Sequence, residues 1–281
     1  MSASHQTLQK RKEMLKHLLL CTVLFFSFVP FVMMFAISLK TNDQFVVNPW
    51  FFDLPTQWQL GNWAIGWATV KNYITNSIVV AVGAVILTLG IALPTSYVVA
   101  RYRFKGREVV YYGFMMTMFL PGGAAALVTT FNLISTMGLV NNLLALVLLS
   151  GFGGQVGAVF ILRQFIEEIP KELFESADMD GAGHIRQMFT IMLPLAAPII
   201  GTVAITNFIG AWNDLIMPLI LLRDNELLTI PVGLMRLDGE YVKMWGPMMA
   251  AFSISSIPLV VLFLFTIRFF VRGLTAGAVK G

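Results

Sequence analysis

The polar side chains best suited to bind a solute lie within a long apolar stretch, residues 191–222. The spacing i, i+3, i+4, i+7, i+11 would place one set on a single face of a helix: Asn207, Gly210, Ala211, Asp214 and Pro218. Asn207, Asn213 and Asp214 supply amide and carboxylate groups that exchange hydrogen bonds with hydroxyls, and Trp212 supplies a ring for stacking. These side chains are therefore candidates for contact with a polar solute. A structural role stays open, because small and polar residues also join membrane helices to one another.

A second candidate site is the charged segment that precedes this stretch. Pro170 suits the first position of a helix and Gly181 the position just past its end, which predicts a short helix over 170–180. Glu168, Glu172 and Glu175 follow the spacing of one acidic face, and an apolar face carries Leu173, Phe174 and Ala177. A helix of about ten residues is marginal alone in water. It therefore either docks on a soluble partner or packs against the chain's own helices, and the spacing alone leaves both alternatives open.

Side chains for catalysis or metal binding are scattered rather than clustered. The chain has one cysteine, Cys21, and three histidines with no metal-ligand spacing between them. No apolar stretch contains a clustered acid–base set, and the phosphate-binding pattern G-x4-G-K-[S/T] is absent from the sequence. We therefore expect no catalytic, cofactor-binding or metal-binding residues, and no ATP hydrolysis by this chain.

The composition determines the environment in which these segments fold. Of the 281 residues, 57% are hydrophobic and 12% are charged, against about 45–50% and about 25% in a soluble domain. The mean hydropathy is +0.77. A soluble globule lacks the polar surface to cover so many apolar side chains. The chain is therefore expected to be an all-α, polytopic membrane protein, which excludes a disordered chain, a disulfide-rich secreted domain and a free cytosolic enzyme.

Apolar stretches long enough to cross a bilayer predict six spans. Residues 18–39 form the first, too long for the core of a cleaved signal peptide, and residues 72–100 the second. Residues 109–162 carry no charge and are too long for one crossing, so a break at 132–142 divides them into the third and fourth spans. The fifth and sixth spans are residues 191–222 and 245–267.

Basic residues assign the sides of the membrane. With six spans, 14 of the 19 lysines and arginines fall on the side of the N-terminus, which predicts that both termini are cytoplasmic. The prediction is one transmembrane domain over 1–281, whose cytoplasmic parts are an N-terminal segment (1–16), a loop between the fourth and fifth spans (163–193) and a tail (272–281). The basic residues lie at the ends of apolar stretches, which favours contact with lipid and not with nucleic acid.

The loop resembles the EAA loop of ABC importer permeases, whose pattern is E-A-A, three residues, G, nine residues, I-x-L-P. Every spacing is reproduced, with a serine for the middle alanine, by Glu175, Ser176, Ala177, Gly181, Ile191, Leu193 and Pro194. Residues 100–107, 169–173, 211–214 and 273–281 are similar to the carbohydrate branch of this family, in particular to the maltose-type second permease subunit. The resemblance extends over about residues 20–281.

The resemblance implies a permease subunit of an ATP-driven importer in the bacterial inner membrane. The loop helix would enter a cleft on a separate ATPase, where Glu175 makes a polar contact, Ala177 allows close approach and Gly181 permits the turn. The tail 274–281 would also approach the ATPase, which binds ATP and Mg²⁺. The implied partners are a second homologous permease, two ATPase subunits and a solute-binding protein that docks on loops 40–73 and 223–244. The implied solute is a sugar or oligosaccharide.

A secondary transporter or channel is the alternative function. Such proteins carry more ionisable residues at mid-membrane and often an internal repeat. Asp214 is the one candidate of this kind in the sequence, which favours the ATP-driven importer.

Overall fold

The structure is a computed structural model that describes residues 2–48, 57–119, 123–240 and 244–278, with side chains in 13–48, 57–119, 123–237 and 244–267. Over these residues it is helical and contains no strand. The α-helices in chain order are α1 (Ser2–Ser38), α2 (Asn42–Val47), α3 (Gly61–Arg101), α4 (Arg107–Met116), α5 (Ala124–Thr136), α6 (Leu143–Gly153), α7 (Gln155–Glu168), α8 (Lys171–Met179), α9 (His184–Gln187), α10 (Leu193–Trp212), α11 (Ile216–Leu221), α12 (Ile230–Glu240) and α13 (Trp245–Ala278). Short 3₁₀ segments cover Thr117–Phe119 and Asn225–Leu227, and a π-helix covers Met188–Met192.

Among the described residues, four helical segments are long and apolar enough to cross a membrane: Glu13–Ser38, Gly61–Arg101, His184–Trp212 and Trp245–Ile267. Two bent pairs raise the number to six if each pair is one span. The first pair, Arg107–Phe119 and Ala124–Thr136, is bent by 112°, and the second, Leu143–Gly153 and Gln155–Glu168, by 41°. This architecture is that of a polytopic membrane protein.

Three details differ from the prediction. The helix that contains the second span begins at Gly61, ahead of residue 72, because Asn62 and Trp63 anchor the start of α3 by hydrogen bonds. The helix of the fifth span ends at Trp212, so Asp214 lies past its end and Pro218 lies in a separate helix, α11. Neither residue shares a continuous helix face with Asn207. Glu168 ends α7 and is separated from α8 by an extended residue before Pro170, as expected for a residue that precedes proline.

The helices form two compact units, of which the first comprises the described residues of Met1–Lys71 and Leu234–Ile257. The Asn62 side-chain amide donates to the carbonyl oxygens of Ser38 and Lys40, both at 2.9 Å. The Trp63 indole N–H donates to the Ser38 hydroxyl at 3.1 Å. Gly66 lies so close to Ala251 that an added Cβ would approach its backbone nitrogen to 2.9 Å. In the most apolar window of Glu13–Ser38 no residue is buried, as expected for a helix solvated by lipid.

The second unit, the described part of Asn72–Gly233 and Pro258–Gly281, has two apolar clusters. One joins α3, α7, α8 and α10 through Tyr97, Leu162, Ile166, Phe174 and Met192. The other joins α3, α5, α6, α11 and α12 through side chains that include Val80, Ile134, Leu146, Leu221 and Val232. The clusters position the two candidate sites, since the charged helix α8 packs on the first and the α10–α11 break borders the second.

Candidate functional site

The charged helix α8 ends in a fully formed left-handed cap. Gly181 has φ +75°, its N–H donates to the Asp178 carbonyl at 3.0 Å, and the Ala182 N–H donates to the Ala177 carbonyl at 2.9 Å. These two bonds define a Schellman motif, in which the left-handed position strongly favours glycine. Gly181 therefore lies just past the end of α8, as the sequence predicts.

One face of α8 packs on the end of α3. Phe174 is 3% exposed, and the guanidinium carbon of Arg101 lies 3.8 Å from the centre of its ring, a cation–π contact. The ring of Tyr97 lies 6.2 Å from the same ring, centre to centre. The predicted apolar face is therefore buried at Phe174, whereas Leu173 is 43% exposed.

The opposite face of α8 is exposed and mixes charge with apolar surface. Glu172, Glu175 and Ser176 are exposed, and the Ser176 hydroxyl donates to the Leu173 carbonyl at 3.1 Å. Met179, at the end of the helix, is 89% exposed, and Ile185 is 74% exposed. Exposed apolar side chains rimmed by carboxylates are typical of a surface that binds another protein.

Glu175 also borders a cavity of about 450 Å³ whose lining is mostly basic. Arg101, Arg103, Arg107 and Lys171 lie around it. Arg107 is paired with Glu108, with 2.5 Å between Nη2 and Oε1. The Glu175 carboxyl therefore lies beside a mostly basic surface on this side of the helix.

The second half of the motif leads into α10. Ile191 and Leu193 are half-buried, and Pro194 is exposed at the second position of α10. The π-helix Met188–Met192 comes directly before. Proline has no N–H to donate and its ring crowds the preceding turn, which accounts for a widened turn at this place.

Polar residues of α10 and of the segment just after it line a second cavity of about 490 Å³, a size within the range of about 300–1,000 Å³ usual for ligand sites. Thr206, Asn207 and Asp214 contribute polar groups on one side, and Ser150 contributes a hydroxyl from α6. Glycines open the remaining wall at the α6–α7 junction: Gly153, Gly154 and Gly157.

Asn207 and Asp214 each make local hydrogen bonds in addition to lining this cavity. The Asn207 Nδ2 donates to the Val203 carbonyl at 2.9 Å, and its Oδ1 lies against Gly154, where an added Cβ would overlap it. The Asp214 Oδ1 accepts from the backbone N–H of Ile216 at 3.1 Å. Asp214, two residues before α11, thus accepts a hydrogen bond from the first backbone N–H of that helix.

Trp212 and Asn213 lie next to the cavity residues in sequence but do not line the cavity. Trp212 is 2% exposed and stacks on Phe208 with 5.5 Å between ring centres. Asn213 follows the end of α10, and its backbone N–H donates to the Ile209 carbonyl at 3.0 Å. The structure therefore brings Asn207 and Asp214 to one cavity and separates the other two predicted contacts from it.

Sequence reasoning missed the glycine wall opposite Asn207 and the buried polar residues beside α8, above all Gln187. The glycines are Gly153, Gly154 and Gly157, and they lie in an apolar stretch where no pattern of polar residues indicates a binding site. In the described part of the chain, no three His, Cys, Asp or Glu side chains come together in a way that could hold a metal ion.

Comparison with known proteins decides the family. The sequence profile of the family described as "Binding-protein-dependent transport system inner membrane component" matches residues 92–276. The chain belongs to this family. It is therefore a multi-pass permease subunit of a binding-protein-dependent importer of the bacterial inner membrane and not an enzyme.

Among its relatives, the permease is 35% identical to the diacetylchitobiose uptake permease DasC of Streptomyces coelicolor, over 92% of this chain and 94% of that protein. It is 35% identical to the trehalose/maltose permease MalG of Thermococcus litoralis, over 74% and 75%. A crystal structure of a bacterial importer of alginate contains a chain of the same fold, with a TM-score of 0.79 at 21% identity over 92% of this permease and 95% of that chain. The predicted membership of the ABC importer permeases is confirmed.

Proposed function

We propose that this permease is one of two homologous membrane subunits of an ATP-driven importer for a sugar or oligosaccharide. The names of its relatives support the solute class, since they include permeases for diacetylchitobiose, for trehalose and maltose and for arabinooligosaccharides. A solute-binding protein would deliver the sugar to the outer face of the pair. Two ATPase subunits, which bind ATP and Mg²⁺, would drive transport from the cytoplasm.

The proposed orientation places both termini and α8 in the cytoplasm. The excess of lysine and arginine on that side of a six-span topology supports it. The whole chain, 1–281, then acts as one permease domain with a cytoplasmic loop over 163–193. The tail 272–281 continues α13 as far as Ala278, and residues 279–281 lie outside the described part of the chain.

The observation that carries the proposal is the shape of α8. It is a short helix with an exposed face that includes Glu175 and Met179, and it ends at Gly181, the glycine of the EAA pattern, in a left-handed turn. We assign this face to the ATPase, with Ser176 and Ala177 allowing close approach. Ile191, Leu193 and Pro194 then connect the docked helix to α10, which carries the cavity residues.

The proposed solute path follows the cavity beside α10. Asn207 and Asp214 line it, and each has one side-chain oxygen that makes no hydrogen bond within the described residues. Sugar hydroxyls are donors and acceptors that suit such groups. Trp212 and Asn213 would not contact the solute. They would affect the path only by holding the C-terminal end of α10 in place.

The experiment that tests the proposal measures ATP hydrolysis stimulated by the binding protein in vesicles that contain the assembled importer. Gly181→Val should abolish stimulation, because a β-branched residue is strained at φ +75°. Gly183→Val is the matched control, since Gly183 has φ −64° and open space around its Cα. Glu175→Arg should also abolish stimulation, and Glu168→Arg, outside the motif, should not. Normal stimulation in both Gly181→Val and Glu175→Arg would refute the assignment of α8.

A further inference from the structure

A buried glutamine lies between the turn that ends α8 and the last part of α3. Gln187, the final residue of α9, is 3% exposed. Its Nε2 donates to the Asp178 Oδ1 at 2.5 Å and to the Ala182 carbonyl at 2.9 Å. Its Oε1 accepts from the Tyr97 hydroxyl at 3.3 Å. One side chain therefore joins the last turn of α8, the residue after Gly181, and α3.

The bonding capacity of this side chain is matched to its surroundings. A primary amide has two N–H donors and a carbonyl acceptor, and both donors and the acceptor are engaged. The bond to Asp178 is charge-assisted, which makes it stronger than a bond between neutral groups. Removing one partner would leave buried polar atoms without a hydrogen bond, and the free-energy cost of this loss stabilises the observed set of bonds.

The hydrogen bonds of Gln187 fix the position of α8 relative to α3 more narrowly than the apolar contact between these helices does. Phe174 and Tyr97 also connect α8 to α3, but apolar contact is non-directional and permits sliding. The turn at Gly181 separates α8 from α9. Gln187 bridges this turn, so that Asp178 on one side and Ala182 on the other are held by the same amide.

We propose that Gln187 is a positioning residue that fixes α8 to α3, so that a displacement of α8 moves α3 instead of being lost in the turn at Gly181. The inference rests on the proposed function, in which an ATPase displaces α8. It adds a route into the membrane through Tyr97, parallel to the covalent route through Met188–Met192 into α10.

The first test uses the permease alone and amide hydrogen exchange. Gln187→Leu removes all three bonds with little change in volume, and Gln164→Leu is the matched control because Gln164 is exposed on α7. Exchange should rise at least tenfold in the former at Asp180, Gly181 and Ala182, whose N–H groups bond back to α8. It should be unchanged in the latter. Unchanged exchange in Gln187→Leu would overturn the proposal.

The second test uses the assembled importer and measures solute molecules transported per ATP hydrolysed. Gln187→Leu should lower this ratio at least fivefold while the amount of bound ATPase changes less than twofold, which a general loss of folding would not produce. Tyr97→Phe removes one hydroxyl and should lower the ratio at least twofold. The double variant should be no worse than Gln187→Leu alone, because Tyr97 acts through Gln187.

The outcomes separate this inference from the function on which it rests. A normal ratio in Gln187→Leu, with Gly181→Val uncoupled, overturns the role of Gln187 and leaves the assignment of α8 standing. Normal transport in Gly181→Val and Glu175→Arg overturns both. If Gln187→Leu fails to insert into the membrane, Tyr97→Phe becomes the deciding variant. A wild-type ratio of solute transported to ATP hydrolysed in Tyr97→Phe then overturns the proposal.

Discussion

Replacing Gly154 by alanine tests whether Asn207 contributes to the solute path. A Cβ at residue 154 would overlap the Asn207 Oδ1, and the asparagine side chain would have to rotate. The added methyl group itself is small, so the main effect of Gly154→Ala is to displace the amide from its present position. Gly157 lines the same cavity but has open space around its Cα, which makes Gly157→Ala the matched control.

The magnitude follows from the contacts of Asn207. Forcing the side chain off its rotamer costs about 0.5–1.5 kcal/mol, and losing the bond to the Val203 carbonyl costs a further 0.5–1.5 kcal/mol or so. The total is about 1–3 kcal/mol. Gly157→Ala carries no such cost and gains roughly 0.5–1 kcal/mol of helix propensity within α7. Displacing the amide would also leave a solute hydroxyl in the path without its partner, at a cost of about 1–3 kcal/mol. Since about 1.4 kcal/mol corresponds to a factor of ten, that loss would slow transport by roughly 5- to 150-fold.

The assay compares uptake of the labelled sugar that the cognate binding protein carries, at equal amounts of assembled importer. Gly154→Ala should transport 5-fold or more slowly, with ATPase binding intact, and Gly157→Ala should match the wild type. Asn207→Ala removes the colliding amide, so it should lower transport by itself and make the addition of Gly154→Ala nearly silent. Equal uptake by Gly154→Ala and Gly157→Ala would refute the reasoning, because the overlap with Asn207 would then have no consequence for transport.

Three further predictions concern topology and packing. In a Cys21→Ala background, single cysteines that replace Ser4 or Ala278 should not react with an impermeant thiol reagent in intact cells. A cysteine that replaces the exposed Gln57 should react. Labelling at either terminus would contradict the six-span orientation. Asn141→Ala should lower the free energy of unfolding by about 2–3 kcal/mol, because the Asn141 side chain makes three hydrogen bonds to Arg223 and Asp224. Asn142→Ala loses one helix cap and should cost about 1 kcal/mol. Equal losses in the two variants would contradict this prediction. Gly66→Val should destabilise the packing of α3 on α13, measured by thermal unfolding in detergent, while Gly61→Val, in open space, should not.

The sequence was informative where structure depends on neighbouring residues. Pro170 and Gly181 bound α8 by local chemistry, and the observed helix, Lys171–Met179, differs from the predicted one by a residue at each end. The charge-free stretch 109–162 was correctly divided near 132–142, where Gly138 and Asn141 adopt positive φ. Such signals act over a few residues, so they can be read without knowing the fold.

The boundaries of the long apolar helices could not be read in this way. The apolar stretch resumes at Leu215 after only two polar residues, so it reads as one long segment, but α10 ends at Trp212 and Asp214 accepts from the first backbone N–H of α11. The start of α3 is fixed by Asn62, whose partners lie more than twenty residues earlier. Gln187 had no signal either, because Tyr97 is ninety residues away and a single glutamine has no characteristic spacing.

The π-helix Met188–Met192 sets the rotational phase between Gln187 and the cavity face of α10. A π turn holds one more residue than an α turn, and each residue of an α-helix turns the chain by about 100°. If the same five residues tightened into an α-helix, the face that carries Asn207 would turn by about 100° relative to Gln187 and Asp178. A relative with one residue fewer in this stretch would present the same faces on an unbroken α-helix. The π-helix therefore accommodates one extra residue between α9 and α10. We expect insertions or deletions in this stretch to be tolerated only when they keep the rotation of the Asn207 face relative to Gln187.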